Sequence, residues 1–284
     1  MKRIIERTED GSATLFVPEL DEHYHSVKGA RTESQHIFIN MGLKASAAPQ
    51  PHVLEIGFGT GLNALLTLEA AEQDARPVHY TGIELYPLAW EEVDALGYSN
   101  NPLFKQLHTA PWEEDVKISP HFTLRKIKMD AISDKWLSLN PDLVYFDAFA
   151  PEKQPEMWNE QLFRSLYVYM NTGGILTTYC AKGVIRRMLQ AVGFRVERLP
   201  GPPGGKRESS VFDIFICLIV SLFEFFAFFI FFFVKIPLSK QNHGPHHQCQ
   251  KSHDSRRSIH QAVDTADVLR FNRVYLITDI WLRN

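Results

Sequence analysis

His52-Val53-Leu54-Glu55-Ile56-Gly57-Phe58-Gly59-Thr60-Gly61-Leu62-Asn63 is the stretch that decides the fold. A short β-rich run ends at Gly57, glycines recur at alternate positions, and a helical pattern opens at Leu62. This is the strand, glycine loop and helix unit of a parallel α/β sheet. Working outward, further strands are expected at 79–84, 123–129, 143–147 and 174–179. Helices are expected at 63–72, where Leu62, Leu65, Leu66 and Leu68 form an apolar stripe, at 87–96, and at 183–192 before Gly193. Strands alternating with helices predict a doubly wound sheet over residues 51–208. Residues 1–50 read as a short strand pair followed by a loop that covers the site.

The chain has 284 residues, of which 45% are hydrophobic, enough for one sizeable core. Its formal net charge of −3 lacks the overall basicity of many nucleic-acid binders, although a local basic face could still hold a phosphate backbone. Cys180, Cys217 and Cys249 lie far apart without a CxxC pair, which argues against a disulfide framework or structural zinc, so no metal is expected. Met1-Lys2-Arg3-Ile4-Ile5 has no apolar signal core, and a cytoplasmic domain is expected.

After Glu208 the character changes. Residues 214–234 are apolar except for Ser221 and Glu224, a length that could cross a bilayer, and a His- and Gln-rich stretch follows with His243, His246 and His247. Residues 209–284 are an atypical hydrophobic extension with three readings: a membrane anchor, an out-of-frame or fused stretch, or a buried helix in an oligomer. Residues 211–216 could alternatively add an edge strand to the sheet, though their side chains suit an exposed edge poorly. The histidines could bind metal or be a solvated tail.

The strand ends outline a pocket. Gly57, Gly59 and Gly61 allow close backbone approach to a ligand. Glu84 could accept ribose hydroxyls or be a solvated strand-end charge; Asp130 could meet an adenine amino group or cap a helix. Glu55, inside an apolar strand, would be costly to bury unpaired, and a ligand ammonium or loop amides would explain it. Together these suggest a nucleoside pocket at the carboxyl edge of the sheet. Asp147, in Asp147-Ala148-Phe149-Ala150-Pro151, sits where the reacting group would lie, as an acid able to hold an amine or simply as a turn former. Trp158 could stack on a base or anchor the next helix.

These residues resemble the bacterial tRNA wobble-uridine methyltransferases of the MnmC type. The resemblance runs from Tyr24-His25-Ser26-Val27-Lys28-Gly29-Ala30 and Glu33-Ser34-Gln35-His36-Ile37-Phe38-Ile39, through the glycine loop to Asn63, to Asp147-Ala148-Phe149-Ala150-Pro151 with Met157-Trp158. It closes with Lys182-Gly183, Arg186-Arg187 and Gly204-Gly205-Lys206-Arg207-Glu208. It implies a Rossmann-like class I methyltransferase fold and S-adenosylmethionine as methyl donor. It also implies Asp147 as the essential acid and, as acceptor, the amine of a 5-aminomethyl group on a modified wobble uridine in tRNA. With no second glycine-rich dinucleotide fingerprint, the chain resembles the form without a FAD-dependent oxidase domain.

On that footing Glu55, Gly57, Gly59, Gly61, Asn63, Glu84 and Asp130 are the expected cofactor residues. Tyr24, His25, Ser26, Lys153, Trp158, Lys182, Arg186 and Arg187 are expected on the substrate side, with Lys206 and Arg207 as further RNA contacts. Tyr24 and His25 could instead be a structural cover. A small-molecule or protein N-methyltransferase, or a membrane-attached nucleoside-binding module without catalysis, would use the same loop.

Overall fold

A computed structural model describes residues 2–199 and the strands at 214–220 and 271–275. Strands β1 (Ile4–Arg7), β2 (Ala13–Val17) and β3 (Glu22–His23) form a small antiparallel sheet. Helix α1 (Ala30–Ser34) then runs into a π-helical turn, Gln35–Asn40. The expected strand pair is present, but a third strand and a helix replace most of the expected loop. His36, Ile37, Phe38 and Ile39 are all buried, and a run of consecutive buried residues shows no helical period in sequence.

The large sheet is built from β4 (His52–Ile56), β5 (Val78–Glu84), β7 (Phe122–Lys128), β8 (Leu143–Phe146) and β9 (Ile175–Thr178), all parallel, in the order β9-β8-β4-β5-β7. At one edge β6 (Asp115–Ser119) runs antiparallel to β7. The chain builds outward from β4 through β5 to β7 and then returns to β8 on the other side. The crevice between β4 and β8 is therefore the topological switch point, where open α/β sheets bind ligands.

Side chains alternate across β4. Leu54 and Ile56 pack with Val144, Phe146 and Leu176 against helices α5 (Glu160–Tyr169) and α6 (Gly183–Val192). Val53 and Glu55 face the other way, toward α2 (Leu62–Gln73). Helix α2 is buried on nearly every side from Leu62 to Ala71, so it is a core helix and not the one-sided stripe expected. Helix α3 (Trp90–Asp94) is shorter than expected, and α4 (Pro102–Thr109) was not anticipated, although the Asn101 side chain caps it and Pro102 opens it.

Arg76, after α2, staples the amino-terminal segment to the sheet domain by donating to the carbonyls of Leu43, Ser46 and Ala48. Removing these charge-assisted bonds strands three acceptors. Arg76→Ala is expected to lower unfolding free energy by about 2–3 kcal/mol, measured by urea denaturation, with the loss concentrated in the first fifty residues.

Beyond β10 (Arg195–Leu199), strand β11 (Ile214–Val220) pairs antiparallel with both β9 and β10, and with β12 (Phe271–Tyr275). The sheet thus continues past residue 208, and β11 is an interior strand, not the edge strand considered from sequence. It also occupies the first part of the apolar run read as a bilayer span. A short apolar run paired along both edges satisfies its backbone as well as a helix would, and composition alone cannot separate the two. Among the described residues no helix is long and apolar enough to cross a membrane. Residues 221–234, the three tail histidines, Lys206 and Arg207 lie outside the described residues.

Candidate active site

The glycine loop is held at both ends. The amides of Gly57 and Phe58 both donate to the Ile83 carbonyl at 3.0 Å, which ties the loop to the end of β5. Gly57 has φ +93°, and a Cβ there would lie 2.6 Å from the Asp147 carbonyl oxygen. The loop and the acidic turn after β8 are in backbone contact, which only glycine permits. Glu84 spans the next gap, accepting from the Gly59 amide at 2.9 Å and the Tyr86 amide at 2.8 Å. It is therefore not a solvated strand-end charge, and it lines the cavity in front of the loop. Behind the loop, His108 Nε2 meets the Thr60 carbonyl at 3.1 Å, and Lys126 in turn donates to the His108 carbonyl.

Asn63, 2% exposed on the first turn of α2, joins two acids. Its Nδ2 donates to Glu55 Oε1 at 2.9 Å and to Asp147 Oδ2 at 2.8 Å. Desolvation pushes the fully buried Glu55 carboxyl well above the usual range. The Tyr80 hydroxyl and Asn63 oppose that rise, and the charges of Asp147 and Glu84 add to it. Burial thus favours the protonated form of Glu55, which lessens the penalty expected for burying it. Desolvation in the cavity wall raises Asp147 to about 7, against the opposing bond from Asn63. Glu33, on α1, is raised to about 7, first by desolvation and then by the charge of Asp147, while the Ser26 amide donating to Oε2 at 3.2 Å works against the rise. Glu33 was quoted in sequence only as part of a motif. Its burial depends on the fold of the amino-terminal cover, which has no local signature.

These groups surround a cavity of about 670 Å³ at the switch point. Among the cofactor residues expected from sequence, Gly57, Gly59, Asn63, Glu84 and Asp130 line it. Glu55 lies just behind Asn63, and Gly61 caps α2 against the His108 ring. Asp130 lines the cavity and accepts from the Ile132 amide at 3.0 Å in a turn; it caps no helix, since the short helix that follows begins at Asp134 after Ser133.

Tyr24, His25 and Ser26 form the opposite wall. Tyr24 lies against Gly59 and stacks edge-on to Phe149 at 5.2 Å. His25 Nε2 meets Thr60 Oγ1 at 2.7 Å, and desolvation holds its imidazole down to about 4, so it is neutral at physiological pH. Lys153 reaches the rim, paired with Asp21 at 3.2 Å.

Trp158 is 6% exposed, donates its indole N–H to the Phe149 carbonyl at 2.7 Å, and packs on Phe146 and Phe163. It anchors the acidic loop and has no free face for a base. Lys182 pairs with Glu152, and Arg186 and Arg187 follow on α6; all three lie outside the cavity lining, on the same carboxyl edge of the sheet. Among the described residues no group of three His, Cys, Asp or Glu side chains could hold a metal ion.

A Rossmann-like sheet with a glycine loop facing acidic strand ends defines a class of nucleoside-cofactor proteins. Residues 101–211 match the family described as S-adenosyl-L-methionine-dependent methyltransferase. The chain is similar to the tRNA 5-methylaminomethyl-2-thiouridine biosynthesis bifunctional protein MnmC of Cupriavidus metallidurans, 32% identical over 236 residues, covering 74% of this chain and 34% of that protein. The protein of the same name from Magnetococcus marinus is 34% identical over 215 residues, covering 69% and 32%. The chain therefore spans about a third of the length of the curated relatives it matches. The crystal structure of MnmC2 from Aquifex aeolicus superposes with a TM-score of 0.58 at 22% identity, covering 76% of this chain and 70% of that one, and it shares the fold. The chain has the Rossmann-like fold of the S-adenosyl-L-methionine-dependent methyltransferases, and residues 101–211 match that family.

The residues present fit that cofactor. Asn63 Oδ1 is a buried acceptor without a hydrogen-bond partner, on the cavity wall beside a loop whose backbone only glycine leaves open. An amino acid ammonium would satisfy an acceptor of this kind, and Glu84 and Asp130 also line the cavity.

Proposed function

We propose that the protein methylates the amine of a 5-aminomethyl group on a modified wobble uridine in tRNA. The observation that carries this reading is Asn63, on the first turn of α2, bridging Asp147 to Glu55 beside the glycine loop. It fixes a desolvated carboxyl, raised to about 7, at the place where cofactor and acceptor must meet. The bound cofactor supplies a methyl group on a sulfonium.

The protein's own groups do the rest. Asp147 holds the hydrogens of the acceptor amine and takes a proton from its ammonium form, freeing the nitrogen lone pair. The loop and the Tyr24–Ser26 wall position the reactants and exclude water. Tyr24 and Phe149 offer aromatic faces at the mouth for an unstacked base. Lys153, Lys182, Arg186 and Arg187 lie on the edge a tRNA backbone would approach, two of them already balanced by acidic neighbours. The names of the similar proteins, which concern tRNA 5-methylaminomethyl-2-thiouridine biosynthesis, support the choice of acceptor.

The test is transfer of labelled methyl by the full chain to tRNA bearing 5-aminomethyluridine at the wobble position. Label is expected in the wobble nucleoside and is lost on RNase treatment before the reaction. Transfer that survives RNase, or none by folded protein that binds the cofactor, overturns the assignment.

A further inference from the structure

We infer that Glu33 is the second acid of the acceptor site, which with Asp147 forms a carboxyl pair that binds a primary ammonium group and receives its proton. This inference rests on the amine-methylating reading above and adds a residue to it.

The pair is assembled from distant parts of the chain. Glu33 comes from α1 in the amino-terminal cover and Asp147 from the turn after β8, and both line the same cavity. Tyr179, just past β9, lines the same cavity; its hydroxyl donates to the Ala148 carbonyl at 2.9 Å, and desolvation raises its ionisation, with the charges of Asp147, Glu22 and Glu33 adding to the rise. The remaining charged groups of the cavity are Glu22, Glu84, Asp130 and Glu156, with Lys28 and Lys153 as the cations and His23 and His25 beside them. Lys153 is held by Asp21, outside the cavity lining. The balance favours a cationic guest. Asn63 Oδ1, in a side chain 2% exposed on the cavity wall, is a buried acceptor with no partner, a second sign that donors are missing from this space.

The chemistry follows from two close acids in a desolvated wall. Desolvation raises both Glu33 and Asp147 to about 7, and the charge of Asp147 adds to the rise at Glu33, so both acids hold a proton near neutrality. Facing an ammonium group, the ionised pair offers acceptors to two N–H bonds. One N–H bond breaks, its proton forms an O–H bond on the pair, and the electron pair stays on nitrogen as the lone pair. The pair keeps a single negative charge, which holds the neutral amine in place through its second hydrogen. A single carboxylate that took the proton would give up this charge.

Glu33→Gln tests the inference in the full chain. The amide keeps an acceptor for the Ser26 amide, so the cover stays closed, and only the charge and proton capacity are lost. Binding of tRNA with 5-aminomethyluridine is compared with binding of tRNA carrying an unmodified wobble uridine, with cofactor affinity measured separately by calorimetry. The variant is expected to lose roughly 10- to 100-fold of the wild-type preference for the amine, as an increase in KM larger than the fall in kcat, with cofactor affinity unchanged. Glu33→Asp should restore part of the preference. A Glu33→Gln protein that keeps the full preference, or one that loses cofactor affinity to the same degree, overturns the pair while leaving the methyl-transfer reading in place. A wild-type protein without any preference for the amine overturns that reading, and this inference with it.

Discussion

Asp147→Asn is expected to lower methyl transfer by about 10²- to 10⁴-fold while making the protein more stable above neutral pH. The two halves have one cause. Desolvation lifts the Asp147 carboxyl from its ordinary 3.8 to about 7, so the fold works against the ionised form that the chemistry uses. An acid whose folded value lies above its unfolded value contributes fully below about 4, and that contribution is lost as pH rises through about 7. Above that point the wild type carries a buried charge penalty on the order of 4 kcal/mol, which a neutral asparagine avoids. Thermal unfolding of the two proteins should therefore diverge between pH 4 and pH 8, with the variant the more stable at pH 8. Wild-type kcat/KM should rise through about pH 7 as the carboxyl ionises, and the variant should lack that limb. The substitution preserves shape and leaves an oxygen for the Asn63 amide, so cofactor affinity should hold. An Asp147→Asn protein with an unchanged pH profile would assign the proton transfer to another group.

The site was legible where chemistry and chain direction coincide. Gly57, Gly59, Glu84 and Asp147 each end a strand or begin a loop, and parallel strands bring such ends to one edge. Knowing the strands was enough to know that these residues meet. Helix α6, bounded by Lys182 and Gly193, was readable to the residue because its amphipathic face and its glycine stop are both local signals. Glu33 was not readable, because nothing near it in sequence says that it will be partly buried in the cavity wall. Its environment is created by Ser26, Asp147 and Tyr179, which arrive from other elements. Trp158 shows the limit from the other side. A tryptophan beside a prolyl loop reads equally as base platform or anchor, and only the bond to the Phe149 carbonyl and the contacts with Phe146 and Phe163 decide for the anchor. The apolar run after residue 213 was ambiguous for a related reason: hydrophobicity alone does not say that its first part, Ile214–Val220, pairs as a strand with β9 and β10.

Gly57→Ala should damage both the stability and the site of this protein. At φ +93° an L-residue is strained, a cost of about 1–3 kcal/mol wherever it occurs. Gly97 offers the comparison, since it also has a positive φ, +67°, but a Cβ there meets nothing within 4 Å. Gly97→Ala should therefore show the conformational cost alone. At Gly57 the new carbon would stand 2.6 Å from the Asp147 carbonyl oxygen and 3.2 Å from its carbon, both backbone atoms that no rotamer change can move aside. The loop and the acidic turn must separate, which pulls Asp147 from Asn63 and the Gly57 and Phe58 amides from Ile83. The expected result is a stability loss about 2 kcal/mol beyond that of Gly97→Ala, together with cofactor affinity weakened by more than about tenfold. Urea denaturation and calorimetry read the two effects separately. If Gly57→Ala behaves as Gly97→Ala does in both, the loop yields without disturbing Asp147, and the backbone contact between them is not what shapes the site. If affinity falls while Gly97→Ala leaves it intact, the glycine is required because the sheet places two turns too close together for any side chain.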